Sequence, residues 1–100
     1  IRSLDTIARA LCMLNHGAFR VENSNSWVGT CRHCKQQKPL QWAHFYSRRF
    51  HSLRWNPLNA MVLCAGCHYS FHHRPADFRD WWLAQIGPDD FQRLIPPARL

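Results

Sequence analysis

The sequence predicts a small α+β domain organised around a structural metal site. Three observations carry that reading. Two Cys-x-x-Cys pairs, Cys31/Cys34 and Cys64/Cys67, stand on either side of residues 35–63. Between them lie an aromatic-rich strand candidate at 40–46 and a short apolar one at 60–63. Apolar residues at helical spacing mark both ends of the chain. A thiolate pair with two residues between grips one face of a tetrahedral Zn²⁺, and a second pair completes it. The four cysteines are therefore expected to hold a structural zinc, with His33 as a spare ligand inside the first pair. The alternative is a dithiol redox pair, which lacks the strand and helix context that such chemistry needs.

The elements follow in order. Residues 3–16 read as a helix with Leu4, Ile7, Ala8, Leu11 and Leu14 on its apolar stripe, Ser3 as N-cap and Gly17 just past its end. Cys12 falls on or near the buried stripe, as a small hydrophobe rather than a redox group. His16 sits at the helix end and is assigned no chemistry. Residues 18–30 read as strand and loop, with turn chemistry at Asn23-Ser24-Asn25-Ser26. An exposed loop is expected at 35–39, the main strand at 40–46 and a long loop at 47–59. The strand at 60–63 leads into a helix that opens at Gly66-Cys67, carries His68, Phe71 and His72, and ends at Pro75. A helix at about 76–86 follows, with Phe78, Trp81, Trp82 and Ile86 as core, and a short one at 89–94 closes the domain. The chain reads as one domain, 1–100, with its core at about 28–86.

One hundred residues bury a modest core, which a metal would reinforce. No apolar run approaches the length of a membrane span and no signal-peptide pattern opens the chain; a start at Ile1 rather than Met fits a fragment or a processed chain. The formal charge of +7 is almost wholly arginine, eleven Arg against two Lys. Arginine suits bidentate phosphate contacts and stacking on bases, so an anionic partner such as DNA is in view. Charge alone does not choose one, since many basic domains bind nothing in particular. Five cysteines, an odd number, argue against a secreted disulfide framework and suit a reducing cytosol.

Four further groups bear on chemistry. His68 and His72 stand four apart, on one face of a helix, where both imidazoles could reach one cation; the alternative is a chance pair on a His-rich surface that also includes His73. His44 sits in the main strand, as a core histidine or a base. Asn59 follows Pro57 and alone would be a turn residue. Arg48, Arg49 and Arg54 lie between His44 and Asn59, as phosphate contacts or as a solvated loop face.

Taken together, this ordered set resembles the HNH endonucleases, the treble-clef ββα-metal nucleases, of the phage and prophage type. The shared pattern is a Cys-x-x-Cys turn, a strand His, a loop Asn and a Cys-x-x-Cys-His that opens a helix: Cys31/Cys34, His44, Asn59 and Cys64/Cys67/His68. The resemblance covers roughly 28–86. It implies a metal-dependent DNA endonuclease in which His44 is the general base, Asn59 orients it, and His68 with His72 holds a catalytic Mg²⁺, Mn²⁺, Ni²⁺, Co²⁺ or Zn²⁺. Such chemistry needs an activated water, a cation and a base of near-neutral pKa, which histidine supplies unaided. The resemblance also implies a bacterial or phage-infected cytoplasm; a single short site makes a homodimer an option for cutting both strands, with no interface signal in the sequence. Two departures stand out. Ala43 occupies the place where many members carry an Asp or His metal ligand, leaving His51 and His73 as candidates, and the frequent Lys after Cys-x-x-Cys-His is absent. The alternative is therefore a catalytically inactive, zinc-stabilised DNA-binding or protein-interaction module.

Overall fold

A computed structural model describes residues 2–46, 53 and 55–94. The first helix, α1 (Arg2–Asn15), begins one residue before the expected N-cap Ser3. Its end is a Schellman turn: Gly17, at φ 75°, donates to Leu14 O at 3.0 Å, and Ala18 donates to Met13 O at 2.9 Å. The turn drops the chain into β1 (Phe19–Arg20), which pairs antiparallel with β2 (Trp27–Thr30).

The main strand, β3, runs Gln37–His44, so it starts earlier and stops sooner than 40–46. The reason is tertiary. The turn through Cys31 and Cys34 sets a tight return, and β2 pairs at once from Thr30 opposite Gln37 to Trp27 opposite Leu40. Pro39 is tolerated there because the ladder to the next strand begins only at Leu40 opposite Cys64, and it interrupts no bond on that edge. After a single 3₁₀ turn (Pro57–Asn59), β4 (Ala60–Cys64) completes a four-stranded sheet in the order β1-β2-β3-β4. Every residue of β4 is buried.

α2 (Ala65–His72) starts directly from Cys64, whose thiol caps it by accepting from Cys67 N. Pro75 does not simply stop this helix. It occupies the first position of α3 (Pro75–Ile86), where its missing N–H costs nothing. Gly87, at φ 87°, turns the chain into α4 (Pro88–Arg93).

Alternation along β3 places two layers on the sheet. Trp42 lines a groove shared with α1 and Ala60, while Gln41 reaches α2. One core cluster joins Met13, Trp27, Leu40, Val62, Leu63 and Phe71. A second joins Leu53, Met61, Leu94 and Trp82, whose Nε1 donates to Leu58 O at 3.0 Å. Trp82 is fully buried and Trp81 stacks on Phe71 at 5.2 Å, so both serve the core, as their spacing suggested.

The close approach of α1's end to the sheet rests on Gly29. A Cβ there would meet Ala18 Cα and Cβ at 3.0 Å and Leu40 Cδ1 at 3.1 Å. Gly29→Ala is expected to destabilise the domain by about 2 kcal/mol through overpacking, read as a lower urea midpoint at unchanged slope.

Candidate metal centre and histidine site

The four cysteines are drawn together from two elements. Cys31 and Cys34 sit in the turn between β2 and β3; Cys64 ends β4, and Cys67 lies in the first turn of α2. Their sulfur atoms all lie within 4.8 Å of one another, with Cys34 and Cys64 3.9 Å apart. A tetrahedral Zn²⁺ with thiolate bonds of about 2.3 Å needs sulfurs roughly 3.8 Å apart, so the group can hold a structural metal such as zinc. The turn is shaped for it. Cys31 N donates to Gln36 O at 2.9 Å, Lys35 N to Cys31 O at 3.0 Å, and Lys35 adopts φ 66°. Backbone N–H groups already point at sulfur: Cys64 N lies 3.3 Å from Cys31 Sγ and Cys67 N 3.5 Å from Cys64 Sγ.

The thiols also show why a cation belongs there. Burial works against a thiolate at Cys31, but hydrogen bonds from the backbone of Cys64, Cys34 and His33, and from the Cys34 thiol, outweigh it and bring its pKa down to about 7. Cys67 is pushed up to about 12, by burial first, then by its thiol neighbours and the charge on Cys31. One thiolate forms readily and the next is resisted, an opposition that a divalent cation removes. His33 is not among the four. Its Nδ1 lies 3.3 Å from Cys67 Sγ, placed to donate to a thiolate, and its ring packs on Phe71 and Trp81. Cys12 is half-buried, and burial raises its thiol to about 11, which fits the small-hydrophobe role.

Asn59 is fully buried and is the structural link to His44. Its Oδ1 accepts from Tyr46 N at 2.8 Å, and its Nδ2 donates to Tyr46 O and Leu53 O, each at 3.1 Å. Its own carbonyl accepts from Phe45 N at 3.2 Å. Asn59 thus clasps the two residues that follow His44, rather than serving only as a turn residue after Pro57. His44 itself is the last residue of β3 and meets the Trp42 ring at 4.3 Å between centroids.

His68 and His72 share one face of α2, as their spacing requires, and line an open surface depression with Gln41, Tyr69 and His73. Gln41 Oε1 accepts from His68 Nδ1 at 2.7 Å, which fixes the tautomer and leaves Nε2 free to ligate. Burial first, and the charge of His72 second, hold the His68 pKa below its ordinary value, so the ring is neutral at neutral pH. His73 turns to Tyr69 instead, 4.5 Å between centroids.

Among the described residues, His44 does not converge with His68 and His72. Gln41, on the α2 side of β3, contacts His68, whereas His44 lies beside Trp42 on the α1 side. Ala43 is fully buried and offers no ligand. Among the described residues, the cysteines are the one group of three or more metal-ligating side chains. Arg48, Arg49, Arg54 and His51 lie outside the described residues. Sequence reasoning missed the Gln41 partner of His68 and the Asn59 clasp, since both depend on pairing between distant segments.

No protein-family model, curated protein or solved structure matches the chain. Among the described residues, no helix is long and apolar enough to cross a membrane.

Two measurements bear on this site. Native mass spectrometry is expected to find one zinc per chain, lost in Cys64→Ser, and chelation is expected to lower the thermal midpoint sharply; an apo chain of undiminished stability contradicts a structural metal. Asn59→Ala leaves three backbone groups without partners and is expected to cost about 3 kcal/mol, with Asn59→Asp, which keeps the acceptor and loses the donor, in between.

Proposed function

We propose that this chain is a metal-dependent DNA endonuclease built on a treble-clef ββα unit: a cysteine turn, the β3–β4 hairpin, and α2 with the second cysteine pair at its start. The single observation that carries the reading is the buried Asn59 clasp. A fully desolvated amide spends its side chain on the backbone immediately after His44, which is how a fold fixes the position of one strand-end imidazole.

In this reading His44 takes a proton from water, and the hydroxide attacks phosphorus. The P–O3′ bond breaks, O3′ takes a proton from solvent, and the products are a 3′-hydroxyl and a 5′-phosphate. Nε2 of His68 and the imidazole of His72 are the groups that would hold a divalent cation, which when bound would supply charge stabilisation for the phosphate. Ala43 offers no ligand, so His68 and His72 are the two side chains this reading assigns to the cation. Histidine ligands admit Ni²⁺, Co²⁺ or Zn²⁺ beside Mg²⁺ and Mn²⁺. Arg48, Arg49 and Arg54 supply phosphate contacts, and the formal charge of +7 favours encounter with DNA. His44 and His68 approach from opposite faces of β3, so in this reading the DNA must pass around that strand to meet both. Free thiols holding zinc fit a reducing compartment such as the bacterial cytoplasm.

That same separation, with the buried Ala43, favours a second reading: a zinc-stabilised module that binds DNA or a protein without cutting.

Plasmid nicking across Mg²⁺, Mn²⁺, Ni²⁺, Co²⁺ and Zn²⁺ decides between them. The wild-type chain is expected to nick, and His44→Ala, shown to keep its fold and structural zinc, is expected to lose at least about 100-fold. Cutting that survives the substitution removes His44 as base. No cutting with any cation, alongside salt-sensitive DNA binding, establishes the binding module.

A further inference from the structure

We infer that the recess between the end of α1 and the cysteine turn binds a backbone phosphate of duplex DNA through Arg32 and Lys35, with His16 beside them. The recess holds about 240 Å³ and is lined by Asn15, His16, Thr30, Cys31, Arg32 and Lys35. Two of these side chains are permanent cations and none is acidic. Among the described residues, no carboxylate pairs with Arg32 or Lys35, whereas Arg74, Arg79 and Arg93 each meet an aspartate at 3.3 to 3.6 Å. Burial first, and the Arg32 charge second, hold the His16 pKa below its ordinary value, so its neutral ring adds a hydrogen-bonding group rather than a third charge.

The two cations are placed in different ways. Lys35 stands at φ 66°, in the left-handed region that glycine or asparagine ordinarily fills. The turn uses only its backbone, since Lys35 N donates to Cys31 O at 3.0 Å. The turn therefore does not account for a lysine here, and the exposed ammonium it presents does. Arg32 is half-buried and pinned at one edge. Its Nε donates to Gln85 Oε1 of α3 at 3.1 Å, and its backbone N–H donates to Val62 O at 3.1 Å. The terminal nitrogens of the guanidinium keep the planar fork that suits a phosphate.

The distribution of charge selects a polyanion over a free anion. The whole formal charge of +7 lies in residues 1–60, while residues 61–100 carry four Arg against four Asp. The recess shares Asn15 and His16 with the groove that Trp42 lines, so it lies on the α1 side of β3, as His44 does, but at the other end of the strand. The length of β3 separates the two by on the order of 25 Å, roughly seven base pairs of a duplex whose backbone repeats its charge throughout. A free phosphate meets one of these positions; a duplex meets both. The inference rests on the DNA reading above, in its cutting or its non-cutting form.

Two other uses for these cations lie within the domain. One is the negative end of α1, but the carbonyls of Cys12, Met13 and Leu14 already accept from His16, Gly17 and Ala18. The other is the charge of the thiolate centre to which Cys31 belongs. Either use would show as lost stability or lost zinc when a cation is removed.

Fluorescence anisotropy of a labelled, mixed-sequence duplex of about 20 base pairs separates these roles, with the zinc-loaded chain, no further divalent cation, and salt from about 50 to about 300 mM. Lys35→Gly is expected to lower affinity about fivefold at about 100 mM salt and to reduce the slope of log K against log salt by about 0.9. Its zinc content is expected to be unchanged and its thermal midpoint equal or higher, because glycine relieves the positive φ. Arg32→Gln is expected to reduce the slope equally, and Arg93→Gln, which removes a cation already paired with Asp90, to leave it unchanged. A wild type that binds no duplex overturns the inference together with the DNA reading. Wild-type slopes in both Lys35→Gly and Arg32→Gln overturn the inference alone, and a lower midpoint or lost zinc in those variants then assigns the cations to α1 or the thiolate centre. Slopes that fall as expected in a chain that never nicks DNA support the phosphate site and remove only the endonuclease.

Discussion

Four thiols within 4.8 Å of one another are the constraint on which the rest of the fold depends. They join the turn between β2 and β3 to the junction of β4 and α2, segments far apart in the chain. Once they meet, the register of the β3–β4 hairpin follows, because Leu40 pairs with Cys64 at the edge of the centre. The start of α2 follows as well, because the Cys64 thiol caps it. A domain of this size buries too little apolar surface to hold such a junction comfortably by packing alone. Like charges would crowd among thiolates so placed, and a divalent cation held there would turn that repulsion into attraction.

A second fixed point lies at the opposite end of β3. There Asn59 replaces a sheet ladder with side-chain hydrogen bonds, holding Tyr46 and Leu53 after the strand has ended. The two anchors share a logic. Each joins two segments through side-chain contacts, so that neither segment can shift alone. Between the anchors the alternation of β3 delivers Gln41 to α2 and His44 to the α1 side. This division decides which of the histidines can act together, more than their spacing in the chain does.

The α1 helix shows how a correct reading of periodicity can miss its meaning. Leu4, Ile7, Leu11 and Leu14 announce a helix, and a helix forms. The rotation of that helix is set by its end, where the Schellman turn at Gly17 and the contact of Ala18 with Gly29 leave Met13 facing inward. Short-range pattern carries the existence of an element; its orientation belongs to whichever contact pins it. The same holds for β3, whose first residues looked like loop because Gln37, Lys38 and Pro39 are poor strand formers. Pairing with β2, imposed by the cysteine turn, overrode their preference.

What the sequence by itself determined is the chemistry available and the elements that carry it. The cysteine spacing implied a tetrahedral thiolate site, the four-residue interval put His68 and His72 on one helical face, and the aromatic spacing of Phe78, Trp81 and Trp82 marked core, since all three depend only on local geometry. The tertiary structure alone decided that Asn59 clasps the strand end, that Gln41 sets the tautomer of His68, that His44 and His68 stand on opposite sides of β3, and that Leu4, Ile7 and Leu11 of α1 line an open groove while Met13 is buried. Each of these is a relation between segments far apart in the chain, and it is fixed by pairing register and by the facing of packed elements, neither of which a linear pattern of residues encodes.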